Sequence, residues 1–140
     1  MTPIRHLARL SPSLLALLAA LLPGPAGAEG KLVFERWQLV LLKKGPAWSP
    51  EVTLEVERIQ REHLAHLGRM AESGKMMVAG PFERSDDPDL RGLCVYRVGT
   101  AEEARALASE DPAVKAGRLA VSVVTWMAEK GALAFPLARP

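Results

Sequence analysis

Residues 59–81 read IQREHLAHLGRMAESGKMMVAGP. With Val56 just before them, Ile59, His63, Leu67 and Met70 recur every three or four residues, the spacing of one helix face turned to a core. An ionisable imidazole therefore sits in the middle of an otherwise apolar stripe. Gly74 follows the last periodic residue and can adopt the left-handed backbone that closes a helix, with Lys75 beside it. Met76, Met77, Val78 and Ala79 then predict a buried strand that stops at Gly80-Pro81. These residues predict a helix that delivers His63 onto the face of a sheet.

Upstream, Trp37 to Leu42 (WQLVLL) predicts a strand apolar on both faces, with ordered structure beginning near Phe34. Lys43-Lys44-Gly45-Pro46 ends it, and Ala47-Trp48-Ser49-Pro50 leads to the helix. Ser49 before Pro50-Glu51 is the expected helix cap, with Thr53 as the competing start. Lys43 and Trp48 here, with Gly80 and Pro81 from the strand end, form the candidate rim of a pocket. The competing reading is a Trp folded onto the domain edge and two solvated lysines. Downstream, Ser85-Asp86-Asp87-Pro88-Asp89 predicts a polar turn, since its three aspartates lack the spacing and closing Glu of a calcium loop. Leu90 to Val98 predicts the third strand, with Gly92 at a bend or close approach. Thr100-x-x-Glu103 is a capping box that opens a second helix. Asp111-Pro112 ends that helix, Gly117 closes a further turn, and Leu119 to Met127 predicts the fourth strand.

The order strand, helix, strand, strand, helix, strand is that of the α+β ferredoxin-like βαββαβ fold, an antiparallel four-stranded sheet with two helices on one face. Two helices cover one face only. Yet the first strand offers Leu39 and Leu41 on one side and Val40 and Leu42 on the other. A homodimer packed through the open sheet face, a dimeric α+β barrel, is the expected way to bury the second face.

The first 28 residues predict a cleaved secretory signal peptide. Arg5 and Arg9 precede a Leu/Ala run from Leu14 to Leu22, Pro23 breaks it, and Ala26-Gly27-Ala28 is a small-x-small cleavage pattern. That run is far below the roughly twenty residues that span a bilayer, so no membrane association is expected after cleavage. The expected organisation is signal peptide 1–28, one domain 29–130 and a loose or draped C-terminal tail 131–140, in a periplasmic or secreted protein. Loss of the leader removes two of the 18 basic residues and none of the 16 acidic ones, which leaves the mature chain formally neutral. Without a basic stripe interleaved with aromatics, nucleic acid is not an expected partner. Cys94 is the one cysteine, which excludes an internal disulfide and reads as a small buried hydrophobe.

His63 is the first candidate for chemistry, because an imidazole in a partly apolar setting suits general acid/base work. The competing reading is a satisfied core histidine. His66, three residues on beside Arg69, is expected on the helix surface, and two histidines without a third ligand make a weak metal site. Asp111 is the second candidate. It follows the last turn of the second helix, where the macrodipole disfavours an acid, and the competing reading is an Asp that starts a turn before Pro. If the fold brings Asp111 to His63, the carboxylate fixes the imidazole tautomer and stabilises its protonated form. No nucleophile elbow, phosphate-binding glycine loop or zinc signature is present, and no cofactor or metal is expected. Proton transfer on a small bound molecule remains, against a non-catalytic domain that binds a small ligand or a protein. Haem or metal handling by His63 and His66 is a third possibility.

Several short motifs in order, His63-Leu64, Gly74-Lys75-x-x-x-Ala79-Gly80-Pro81, Gly92, Glu102-Glu103-Ala104, Asp111-Pro112 and Ala116-Gly117, make Trp37 to Trp126 resemble the YCII-related proteins of the dimeric α+β-barrel superfamily. The resemblance implies a ferredoxin-like protomer that dimerises into a barrel. It also implies a His–Asp dyad, carried onto His63 and Asp111. Members with an assigned activity look like lyases or dehydrohalogenases that act on small ring compounds. Typical members look cytosolic, so the leader is a departure from the family pattern.

Overall fold

The computed structural model describes residues 31–135; the leader read at 1–28 and the end of the tail lie outside them. The elements are β1 (Phe34–Lys44), α1 (Leu54–Glu72), β2 (Met76–Pro81), β3 (Leu90–Tyr96), α2 (Ala101–Ser109), α3 (Pro112–Lys115) and β4 (Leu119–Glu129). The strands form one antiparallel sheet in the order β2-β3-β1-β4. This is the ferredoxin-like α+β arrangement expected from the element order. The addition is α3, a helix of four residues, too short to leave a periodic signature. No helix among the described residues is long and apolar enough to cross a membrane.

β1 is one of the two inner strands, paired with β3 on one edge and β4 on the other, and each of its faces meets an apolar cluster. On the helix side, Val40 and Leu42 are buried with Met76, Cys94, Tyr96, Ala104 and Ala108, and Leu67 and Met70 of α1 pack against them. On the other side, Trp37, Val95 and Ala128 form a second cluster with Leu39, Leu93 and Met77. The tail covers part of that second face: Leu133 and Phe135 join the cluster, and the Phe135 ring lies 5.3 Å from the Trp37 ring. Farther along β4 the same face stays open, with Val124 48% and Trp126 41% exposed opposite Leu39 and Trp37.

Three of the helix ends are set by side chains. α1 begins at Thr53, whose Oγ1 accepts from the Val56 N–H at 3.2 Å. The expected cap, Ser49, accepts from the Glu51 N–H at 3.1 Å and so closes a local turn ahead of the helix. The helix is therefore one turn shorter than a Ser49 start would make it. Its C-terminal exit turns on Gly74, at φ +71°. At α2, Thr100 accepts from the Glu103 N–H at 3.1 Å, while Glu103 Oε2 accepts from Gly99 at 3.2 Å, one residue ahead of the usual partner. At α3, Asp111 is the cap and Pro112 the first helical residue.

β3 carries a bulge where the site is built. Leu42 pairs with Gly92 and the next residue, Lys43, pairs with Leu90, so Arg91 is the extra residue. Gly92 itself permits a close approach, since a Cβ there would stand 2.8 Å from the Gly80 backbone oxygen. Two paired backbones cannot yield to that methyl without separating. Gly92→Ala is expected to cost about 1–3 kcal/mol, read as a lower urea midpoint with an unchanged m value.

Candidate active site

His63 lies on the inward face of α1 and is 7% exposed. Asp111, 2% exposed, sits in the joint between α2 and α3. His63 Nδ1 lies 2.6 Å from Asp111 Oδ2. The second oxygen, Asp111 Oδ1, accepts from the Ala113 N–H at 2.8 Å and so caps α3. Asp111 does follow the C-cap of α2 at Glu110, as expected, and it is at the same time the N-cap of α3, an end that favours a carboxylate. One oxygen does what an Asp before Pro does in a turn; the other reaches the histidine. Where Asp111 acts as the acceptor in this pair, Nδ1 is the donor and the neutral imidazole has its lone pair on Nε2.

His63 lines a cavity of about 320 Å³ between α1 and the strand ends. Leu64, Leu67, Leu42, Ala79 and Leu119 give it apolar walls, and Gln60, Arg91 and the Cys94 thiol are its other polar groups. Of the four candidate rim residues, Trp48, Gly80 and Pro81 line this cavity. Lys43 does not: its ammonium lies 3.0 Å from Asp87, and Lys44 stands 3.6 Å from Asp89. The polar turn thus pairs with the two lysines at the C-terminal end of β1. Two cations stand against Trp48, with the guanidinium groups of Arg91 and Arg118 at 4.8 and 5.0 Å from its ring centroid. Arg118 is further fixed by donating to the Ser49 carbonyl at 3.1 Å. The arginines are the residues that sequence reasoning missed. Gly92 signalled a bend here, but not that its neighbour Arg91 would be the extra residue of a bulge.

His66 departs from its expected surface position and is 4% exposed, with Nε2 lacking a partner among the described residues. The joint with α3 explains this, since α1 packs against that unforeseen helix. Burial holds the His66 imidazole below the usual histidine range, with the Asp111 charge acting in the opposite sense. It is thus the neutral imidazole that the fold accommodates. Cys94 is 2% exposed, and burial, assisted by the Asp111 charge, pushes its thiol up to about 12. A thiol so protonated is a poor nucleophile. Among the described residues no group of three or more His, Cys, Asp or Glu is arranged to hold a metal ion. A larger hollow of about 810 Å³, bordered by Trp37, Gly74, Arg97 and Phe135, shares no residue with the His63 cavity. It contains no histidine, so size alone does not make it the reactive site.

Asp111 joins two elements that have no other buried ionic link among the described residues. Asp111→Ala removes a helix cap and leaves a buried N–H without an acceptor, an expected cost of about 2–4 kcal/mol in urea unfolding. Asp111→Asn retains a carbonyl oxygen for the cap and is expected to lose less than half as much.

The YCII-related domain family model matches residues 39–127. No curated protein matches the chain. Among solved structures, one similar chain is the 5-chloro-2-hydroxyhydroquinone dehydrochlorinase (TftG) from Burkholderia phenoliruptrix AC1100, in complex with 2,5-dihydroxybenzoquinone. It is 24% identical, with a TM-score of 0.44 over 64% of this chain and 92% of that one. The family match runs from β1 into β4, takes in both His63 and Asp111, and covers well over half of the residues: the chain belongs to the YCII-related domain family.

Proposed function

We propose that this protein is a small-molecule enzyme in which His63 is the general base or acid of an elimination or isomerisation. Asp111 orients the imidazole by holding its Nδ1. The observation that carries the reading is the 2.6 Å contact between His63 Nδ1 and Asp111 Oδ2, with the same imidazole on a cavity wall. Nε2 is then the nitrogen free to take a proton from a bound molecule and to return it elsewhere on the same molecule. The apolar walls hold a small substrate and exclude water around the transfer. One observation favours a non-catalytic reading. Both Asp111 oxygens are engaged, so the pair also serves as a polar clasp between α1 and α3.

The two readings separate in a turnover screen against small halogenated and hydroxylated ring compounds, followed by halide release or absorbance change. His63→Ala is expected to lower kcat by about 10²–10⁴-fold, the range for a positioned proton-transfer group. Asp111→Asn is expected to fold yet lose activity, since an amide partner favours the tautomer with the proton on Nε2. Parental kcat in a folded His63→Ala protein would remove the catalytic reading and leave the clasp.

The assembly we propose is an exported homodimer, cut after Ala28 and joined through the open sheet face. Support for the dimer comes from Val124 and Trp126, apolar residues 48% and 41% exposed on a face that no helix covers. Support for export comes from the leader sequence alone. Protein recovered from its host is expected to begin at Glu29 and to sediment as a dimer at micromolar concentration, with Trp126→Glu shifting it to monomer. A chain that retains residues 1–28, or a monomeric parent, would overturn the corresponding half.

A further inference from the structure

The rim of the His63 cavity carries a charge that the acid/base pair does not use. We propose that Arg91 makes this cavity selective for a small organic carboxylate with a planar apolar body, the guanidinium holding the carboxylate while the body lies among the leucines. The inference rests on the reading of the cavity as the ligand site, and it names the class of ligand.

Three observations lead to it. The first is the bulge. Leu42 and Gly92 pair, and Lys43 and Leu90 pair, so Arg91 has no opposite number on β1. In an unbroken ladder successive side chains alternate between faces, and a residue next to Gly92 would point away from the helix side. The bulge instead leaves Arg91 on the cavity wall with Trp48. Bulges re-aim side chains in this way at sites where a particular group is needed.

The second observation is charge. Among the described residues Arg91 forms no ion pair, unlike Lys43, Lys44, Arg58 and Lys115. No Asp or Glu lines the cavity. A second guanidinium, that of Arg118, stands against the same indole. Two cations therefore share one aromatic ring at the mouth, and the carboxylate of Asp111 lies behind the imidazole with both oxygens engaged. Such a mouth attracts anions, and its low-dielectric walls strengthen the attraction.

The third observation is shape. The Arg91 guanidinium lies 4.8 Å from the Trp48 ring centroid, where cation–π attraction holds it without using up the donors of its N–H fork. That fork matches the two oxygens of a carboxylate, a bidentate geometry that a lysine does not reproduce. The volume of about 320 Å³ and the apolar lining suit a body of ring size, and Arg91 is the one cation on that lining, Arg118 lying outside it and donating to the Ser49 carbonyl. A carboxylate so held would present its neighbouring carbon to the His63 side of the cavity.

The test uses benzoate and its neutral isostere benzamide, titrated into the full mature protein and followed by the Trp48 indole and His63 imidazole NMR signals. The parent is expected to bind benzoate at least about tenfold more tightly than benzamide, as a charge-assisted hydrogen bond implies. Arg91→Gln is expected to abolish that preference without changing the circular dichroism spectrum, and Arg91→Lys to restore part of it. Equal binding of the two probes by the parent, or an undiminished preference in Arg91→Gln, overturns the carboxylate inference while the cavity survives as a ligand site. Silence of both signals towards both probes overturns the inference together with the ligand-site reading on which it rests.

Discussion

A buried carboxylate without partners is among the most unfavourable groups a small domain can contain. Asp111 is tolerated because its two oxygens go to two different elements, one to the first turn of α3 and one to His63 on α1. Much of the helical layer follows from that division. The short helix exists where its cap is supplied, α1 packs against it, and His66 becomes buried in the process. The histidine at the cavity has one ring nitrogen committed and one free. Under the proposed function, structural and chemical roles meet in the Asp111 side chain; its structural role rests on the two contacts themselves.

The sheet contributes the rest of the site through its irregularities. A regular ladder would carry alternating faces to the end of every strand, with Gly92 and Arg91 on opposite sides. The bulge breaks the alternation at the strand end that forms the cavity floor. Gly92 lets β2 lie close enough that Gly80 and Pro81 reach the rim. The same region fixes its cations by role: Lys43 and Lys44 are bound by the aspartate turn, whereas the arginines stand against Trp48. Apolar walls, one imidazole and the Arg91 guanidinium are what a molecule entering this cavity would meet.

Much of this was legible in the residues. Two-faced apolar runs, the Thr100 capping box, Gly74 and the helical stripe through His63 each express a local preference that the fold obeys. Positions where two local signals competed were less legible. Ser49 and Thr53 both suit a helix cap, and the winner is the one not already engaged in the preceding turn. His66 lies beside Arg69 along the chain and looked exposed, but burial depends on what packs against α1, and that element had no signal of its own.

The sequence by itself determined the order and type of the main elements, the two apolar faces of β1 and the presence of an ionisable group on the core face of α1. These follow from periodicity, caps and turn residues, which act over a few neighbouring positions. The tertiary structure decided which charges meet. The chain separates His63 from Asp111 by 48 positions and Lys43 from Asp87 by 44, and no local rule links residues so far apart. It also decided that Trp48, not Lys43, lines the cavity and that Arg91 faces it. Those outcomes depend on strand register and on the close approach of two backbones at Gly92, which only the assembled sheet establishes.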